Sequence, residues 1–209
     1  MRLFVVGATG RTGGLVVQQA LERGHEVTAF TRRPEAVGLS HPQLHVARGD
    51  GLNVADLSQV VGHDAVLSIV AAPDRRPTTL AEQVARNLVT AMSAAGVARL
   101  VVTSSHALVA TRPKAALLLV RALLRHAYAD ARNMEAVLRA SELDWRIVRA
   151  NRLVDGPGVG SVVRMPGGRD FDGGLNELSR ADLAATLLDV VADDALVRQA
   201  IEVTGARLP

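Results

Sequence analysis

The sequence predicts an α/β protein built on a doubly wound parallel sheet with helices on both faces. Three observations carry that prediction. Strand-like and helix-like stretches alternate at least five times, joined by short glycine-containing connections, a pattern that calls for right-handed crossovers. The opening run Leu3-Phe4-Val5-Val6 is apolar on both faces, as a strand inside a parallel sheet must be. That run then breaks at Gly7 into a glycine-rich turn that opens a helix.

Each element follows from its local pattern. Over residues 12–23 the positions Leu15, Val16, Ala20 and Leu21 share one helical face, and Gly24 provides a stop. Residues 26–31 read as a second strand, 44–47 as a third and 65–71 as a fourth, with a short helix near 54–61. Residues 79–95 form an amphipathic helix closed at Gly96, and 100–103 a fifth strand. Residues 113–140 are helical in composition, with a bend expected at Ala129-Asp130. A sixth strand follows at 145–148. Residues 156–174 hold seven glycines and two prolines, so loop with short irregular strands is expected there. Ser179 is a good N-cap for a helix over 180–191, with Asp182 in its first turn. Residues 200–203 read as the last strand. The C-terminal part, from about residue 150 to 209, should complete a substrate pocket over the carboxyl edge of the sheet, the usual ligand side.

Composition bounds the function. The 209 residues fit a single domain, 1–209, and 48% hydrophobic with 22% charged residues suits a packed core. Absence of cysteine excludes disulfides, thiolate catalysis and Cys-ligated metals. The six histidines are dispersed, and Pro42 disfavours a helical pair of His41 and His45, so no metal site is expected. Net charge is only +3 and the arginines are scattered, while aromatics make up 2%. Such a surface suits solvated helix faces better than nucleic acid. The apolar stretch 115–120 is far shorter than the roughly 18 residues of a membrane span, and residues 3–6 are too few for a signal-peptide core. A soluble cytoplasmic chain is expected, monomer or homodimer, acting on small molecules without nucleic-acid or membrane partners.

The most informative segment is Gly7-Ala8-Thr9-Gly10-Arg11-Thr12-Gly13, between the first strand and the first helix. Gly7 permits a tight turn, Gly10 lets the backbone approach a pyrophosphate, and Gly13 allows helix and strand to pack closely. The helix N-terminus adds free N–H groups for phosphate. The flanking strand and helix supply the context that makes this a dinucleotide-binding loop. At the end of the second strand, where a free ribose 2′-hydroxyl usually meets a carboxylate, the chain has Thr31-Arg32-Arg33. Arg32, helped by Arg33 or Arg11, suits a 2′-phosphate, because guanidinium binds phosphate oxygens in bidentate fashion. NADP(H) is therefore expected in preference to NAD(H). Asp50 could meet the adenine edge or cap the short helix that follows. Ala71 and Ala72 are small, as close passage of a cofactor requires.

Taken together, GATGRTGG (7–14), GHEVTAFTRRP (24–34), ARGD (47–50), VVTSS (101–105), LRASELDWRIVR (138–149), RLVDGPGVG (152–160) and LSRADLAATLLD (178–189) resemble the atypical short-chain dehydrogenase/reductase superfamily. The nearest branch is the NAD(P)H-binding, NmrA-like one, which includes the biliverdin-reductase-B type flavin reductases. The resemblance implies a Rossmann fold with NADP(H) across the switch point between the first and fourth strands. It also implies Thr103, Ser104 and Ser105 beside the nicotinamide, with the loop Arg149-Ala150-Asn151-Arg152 covering it. Ala150 stands where the family commonly has proline.

The chain departs from that pattern in its chemistry. The Tyr-x-x-x-Lys pair of typical members has no counterpart: aligning on Glu135 puts Ala127 and Ala131 at those positions. Tyr128, with Arg132 four residues on, is displaced by one residue, which rotates a helical side chain by roughly 100°. Tyr128 is a candidate general acid, although an aromatic packing the helix is the preferred reading. Ser105 can hold a carboxamide or an acceptor carbonyl. Arg152 could stabilise negative charge on an acceptor or simply pair with Asp155 at the surface. His106 reads as a solvated loop residue. The reading is a reductase passing hydride from NADPH to a planar, electron-poor acceptor such as a flavin, quinone or tetrapyrrole. A non-catalytic NADP(H)-sensing protein of the NmrA type is the alternative. A sugar-nucleotide epimerase or dehydratase comes third.

Overall fold

The computed structural model describes residues 1–71, 76–111, 114–167, 171 and 176–206. The eight-stranded main sheet has the order β3-β2-β1-β4-β5-β6-β10-β8. Its strands are β1 (Arg2–Val6), β2 (Glu26–Thr31), β3 (Leu44–Arg48), β4 (Ala65–Ser68), β5 (Arg99–Ser105), β6 (Asp144–Ala150), β8 (Val162–Pro166) and β10 (Gln199–Gly205). All pairings are parallel except that of β8 with β10. Two short strands, β7 (Arg152–Val154) and β9 (Glu177–Ser179), pair in a separate ribbon.

Alternation along the buried strands splits the core into two layers, as a pleat with period two requires. Leu3 and Val5 of β1, with Leu67, Val101 and Val148, pack beneath α1 (Arg11–Glu22) and α5 (Arg180–Ala192). Phe4 and Val6, with Val66, Leu100 and Ile147, pack beneath α2 (Leu80–Ala95) and α4 (Arg125–Arg139). The strand order reverses between β1 and β4, so their carboxyl ends diverge and leave a crevice at the switch point, where open α/β sheets take ligands.

Three expectations need correction. β4 ends at Ser68, because Ile69, Val70 and Ala71 turn away to line the crevice. The break in the long helical stretch falls at Leu124, between α3 (Lys114–Leu123) and α4, not at Ala129-Asp130. Asp130 instead lies buried within α4, its carboxylate accepting the amide N–H groups of Ala81 (3.0 Å) and Glu82 (2.9 Å) at the start of α2. That carboxylate caps a helix whose own Thr79 provides no side-chain cap. The short helix before β4 is a 3₁₀ segment, Asp56–Val60. Ser179 does cap α5, its hydroxyl accepting the Asp182 N–H at 2.9 Å. Asp182 in turn accepts the backbone N–H groups of Val159 (3.1 Å) and Gly160 (3.0 Å), tying the glycine-rich loop to that helix.

Candidate functional site

The glycine turn is built as its sequence demands. Gly7 adopts φ +86°, and a Cβ there would sit 2.6 Å from the Ile69 carbonyl oxygen. A Cβ on Gly13 would lie 2.0 Å from the Gly7 oxygen, so α1 packs on the turn only because both positions lack side chains. Gly10 is the N-cap of α1; no side chain caps it, and the first turn carries no acid. The amide ends of α1 thus remain available to an anion. Thr31 braces the turn, with its hydroxyl 3.2 Å from that of Thr9 and accepting the Arg33 N–H at 3.1 Å.

Beside this turn lies a crevice of about 290 Å³. Gly7, Thr9 and Gly10 form one wall, Thr31, Arg32, Arg33 and Asp50 the far end, and Ile69, Val70 and Ala71 the floor toward the sheet. Arg32 and Arg33 are exposed, and no carboxylate among the described residues pairs with either. Glu35, the nearest acid in sequence, goes to Arg48 at 3.8 Å. Gly49 and Gly51 line the opposite edge at points of close approach: a Cβ on Gly49 would strike the Phe30 ring at 2.3 Å. A cradle without side chains, a free helix N-terminus and two uncompensated guanidiniums fit the phosphates of a dinucleotide.

A second cavity of about 210 Å³ continues from the first. It shares Val70 and Ala71 with the crevice and is otherwise lined mainly by alanine, leucine and methionine, with Thr103, Ser104, Ser105, Tyr128 and Asp130 as polar groups. Ala127, Tyr128 and Ala131 all face it, so the one-residue displacement does not remove the tyrosine from the site. Tyr128 shares the cavity with Ser105. Burial pushes its phenol above the ordinary value, a shift that Ser105 and the more distant charge of Arg121 offset only in part. Arg132 is exposed and lines neither cavity. The Ser105 hydroxyl also accepts the Ala107 N–H at 3.3 Å.

Several predicted residues lie elsewhere. The Arg11 guanidinium points to Asp155 at 3.2 Å, away from Arg32. Asp50, by contrast, does line the crevice, with its carboxylate accepting the Leu52 N–H at 3.0 Å in a local turn; the N-cap of the 3₁₀ segment is Ala55. Thr12 is buried in the first turn of α1 and lines neither cavity. Asn151 is buried against β10, donating to Thr204 at 3.3 Å. Arg152 pairs with Glu177 across the β7–β9 ribbon at 2.7 Å, not with Asp155, and both side chains are more than half exposed. Ala72 lies outside the described residues.

Sequence reasoning missed a buried polar ladder. Ser104 of β5, Arg149 of β6 and Glu202 of β10 are register partners in adjacent strands. The Ser104 hydroxyl donates to Glu135 Oε1 at 2.7 Å. Arg149 grips both oxygens of Glu135 and donates to Glu202 at 2.9 Å. Glu202 Oε2 then meets His106 Nδ1 at 2.8 Å, and the His106 ring packs on Phe171. His106 is therefore buried, contrary to expectation, because Glu202 gives it an internal partner. Burial pushes the Glu135 carboxyl up, but hydrogen bonds from Arg149 and Ser104 hold it below its ordinary value. A signal existed: Arg149 and Glu202 are charges flanked by apolar residues in interior strands, and buried charges are paired.

Comparison with known proteins places these features in context. A family model described as NAD(P)H-binding matches residues 7–194. An uncharacterized chloroplastic protein of Arabidopsis thaliana is 30% identical over 203 residues, covering 90% of this chain and 71% of its own length. Among solved structures, a short-chain dehydrogenase/reductase of Veillonella parvula in complex with NADP superposes with a TM-score of 0.82 at 20% identity, over 97% of this chain and 94% of that one. ChuY of Escherichia coli O157:H7, an anaerobillin reductase, superposes with a TM-score of 0.80 at 20% identity, over 100% and 99%.

Proposed function

Because the chain belongs to the NAD(P)H-binding family, we propose that it is an NADPH-dependent reductase that passes hydride to a planar, electron-poor acceptor of the flavin, quinone or linear tetrapyrrole kind. The observation that carries this reading is the junction of the two cavities at Val70 and Ala71. A dinucleotide anchored by its phosphates at Gly10 and α1 would end its nicotinamide there, facing a mostly apolar chamber. Bound NADPH supplies the hydride, and solvent supplies the proton that completes a two-electron reduction.

The residues of the chain do the rest. Gly7, Gly10 and the N-terminus of α1 hold the pyrophosphate, and Arg32 with Arg33 holds the 2′-phosphate. The NADP bound by the Veillonella neighbour agrees with that choice. Thr103, Ser104 and Ser105 orient the rings at the cavity junction. Tyr128 lines the chamber together with Ser105; with its phenol pushed up by burial and Arg132 exposed to solvent, it is poorly suited to cycle a proton. A tetrapyrrole acceptor, suggested by the activity named for ChuY, fits an apolar chamber flanked by a few hydroxyls. The test is NADPH oxidation by the purified protein with flavin mononucleotide, quinones and biliverdin as acceptors. Turnover with at least one is expected. Tight NADPH binding with turnover of none would leave a dinucleotide-sensing protein instead.

A further inference from the structure

One hydroxyl of the second cavity, that of Ser104, has a fixed hydrogen-bond polarity, and that polarity selects among ligands. A serine hydroxyl has one proton. Ser104 donates its proton to Glu135 at 2.7 Å. Glu135 cannot return the favour, because its carboxylate is gripped on both oxygens by Arg149 and is held in the ionised, acceptor-only form. Ser104 therefore has only lone pairs left for a ligand. Asp130, the acid among the residues that line the cavity, is an acceptor that takes two backbone N–H groups.

The neighbouring pair behaves in the opposite way. Ser105 accepts from the Ala107 N–H at 3.3 Å, and the Tyr128 phenol lines the same cavity. Each of the two hydroxyls carries one proton. Those protons are the donors that this side of the cavity offers. The wall thus offers an acceptor at Ser104 and a donor at Ser105–Tyr128, carried on consecutive residues of β5.

We propose that this wall recognises an amide-type edge, an N–H donated to Ser104 beside a C=O that accepts from the Ser105–Tyr128 pair. The inference rests on the reductase reading for its ligands but not for its geometry. Such an edge exists in a lactam or imide acceptor, including the imide of a flavin and the terminal lactams of a linear tetrapyrrole. It also exists in the carboxamide of the nicotinamide itself. A quinone, with carbonyls only, leaves Ser104 unpaired. Glu135 and Arg149 act as positioning residues, fixing the direction of one proton.

Equilibrium binding tests this without turnover. In the first arm, NADP-saturated protein is titrated with lumiflavin and with lumiflavin methylated at the imide nitrogen. In the second, the free protein is titrated with NADP and with its 3-acetylpyridine analogue, which keeps the carbonyl and lacks the N–H. Each titration is repeated with Ser104→Ala, which removes one oxygen from a half-buried side chain and leaves the Arg149 grip on Glu135 in place. Loss of the N–H should weaken binding about tenfold in one arm, the worth of one buried hydrogen bond, and the gap should close in Ser104→Ala. A gap in the first arm assigns the edge to the acceptor, and one in the second assigns it to the cofactor. Equal affinities in both arms, or a gap that persists in Ser104→Ala, overturns the proposal. A gap that closes as expected, in a protein that fails to oxidise NADPH with any of the acceptors screened, would overturn the reductase reading alone.

Discussion

Arg149 and Glu202 stand opposite each other in adjacent parallel strands and are joined by a 2.9 Å Nη1–Oε1 bond, with the Glu202 side chain wholly shielded from solvent. The pair is one rung of a ladder that reaches from His106 to Ser104 through two carboxylates and one guanidinium. Removing one member of such a pair strands an opposite charge in the interior.

Arg149→Met should therefore lower unfolding stability by about 3–5 kcal/mol, the usual cost of breaking a buried pair from one side. Urea denaturation checks this. A loss below about 1 kcal/mol would mean that the ladder relaxes or hydrates when opened.

The ladder also has a pH signature. Glu135 titrates below its ordinary value of 4.5 in the folded chain, so its contribution is complete above that value and drains away as pH falls through the folded value. Glu135→Gln removes the proton-linked part. Thermal melts from pH 6 down to about pH 3 should fall more steeply for the wild type than for the variant. Parallel curves would assign acid sensitivity to other groups, of which Asp182 and Asp189, both lowered against the push of burial by hydrogen bonds, are the next candidates.

At the crevice, Arg32→Glu should weaken NADPH binding at least tenfold and leave NADH binding nearly unchanged, because a charge-assisted contact to the 2′-phosphate becomes a repulsion. Calorimetric titration of both nucleotides is the measurement. Equal affinity of the wild-type protein for the two would remove Arg32 from this role.

Three substitutions sort the polar groups near the second cavity. Tyr128→Phe should keep the turnover number within about tenfold, since loss of a true general acid costs 10²–10⁴. Ser105→Ala should lower turnover while NADPH affinity stays near that of the wild type. Arg152→Ala should change neither turnover nor stability beyond about 0.5 kcal/mol, because its partner Glu177 is exposed and exposed pairs are screened. Steady-state kinetics on the acceptor found in the screen decides all three.

Gly13→Ala should be among the most damaging small changes in the chain. Its Cβ would meet the Gly7 oxygen at 2.0 Å, and backbone must move to relieve it, at a cost of about 1–3 kcal/mol or more. Lower melting temperature together with weakened NADPH binding is expected. Gly24→Ala serves as a comparison: it has φ +77° but open space around it, so it should be destabilised by backbone strain alone and bind NADPH normally.

The parts legible in sequence were those written in short periods. The glycine turn, the order of strands and helices, and the Ser179 cap all depend on residues within a few positions of one another. The arginines at 32 and 33 were legible because strand two fixes where its end must lie. What escaped was lateral: Ser104, Arg149 and Glu202 meet only because three strands lie side by side in one register. Tyr128 was a candidate from the sequence, but packing against the helix was preferred for it, for a related reason. A rotation argument on one helix says where a side chain points relative to its neighbours, but the cavity is wide enough to admit positions 127, 128 and 131 together. The surface partner of Arg152 is Glu177 and not Asp155 because Glu177 comes alongside it only in the β7–β9 ribbon, which has no signal of its own.

The cap that Asp130 places on α2 carries a consequence for the order in which the chain is made. Its hydrogen bond to the Ala81 amide spans 49 positions. During synthesis, the whole of α2 is added before the residue that satisfies its first turn. Until α4 exists and docks, those amides must be served by water. Consolidation of the first turn of α2 therefore waits on α4, and a nascent chain stalled before residue 130 would lack that cap.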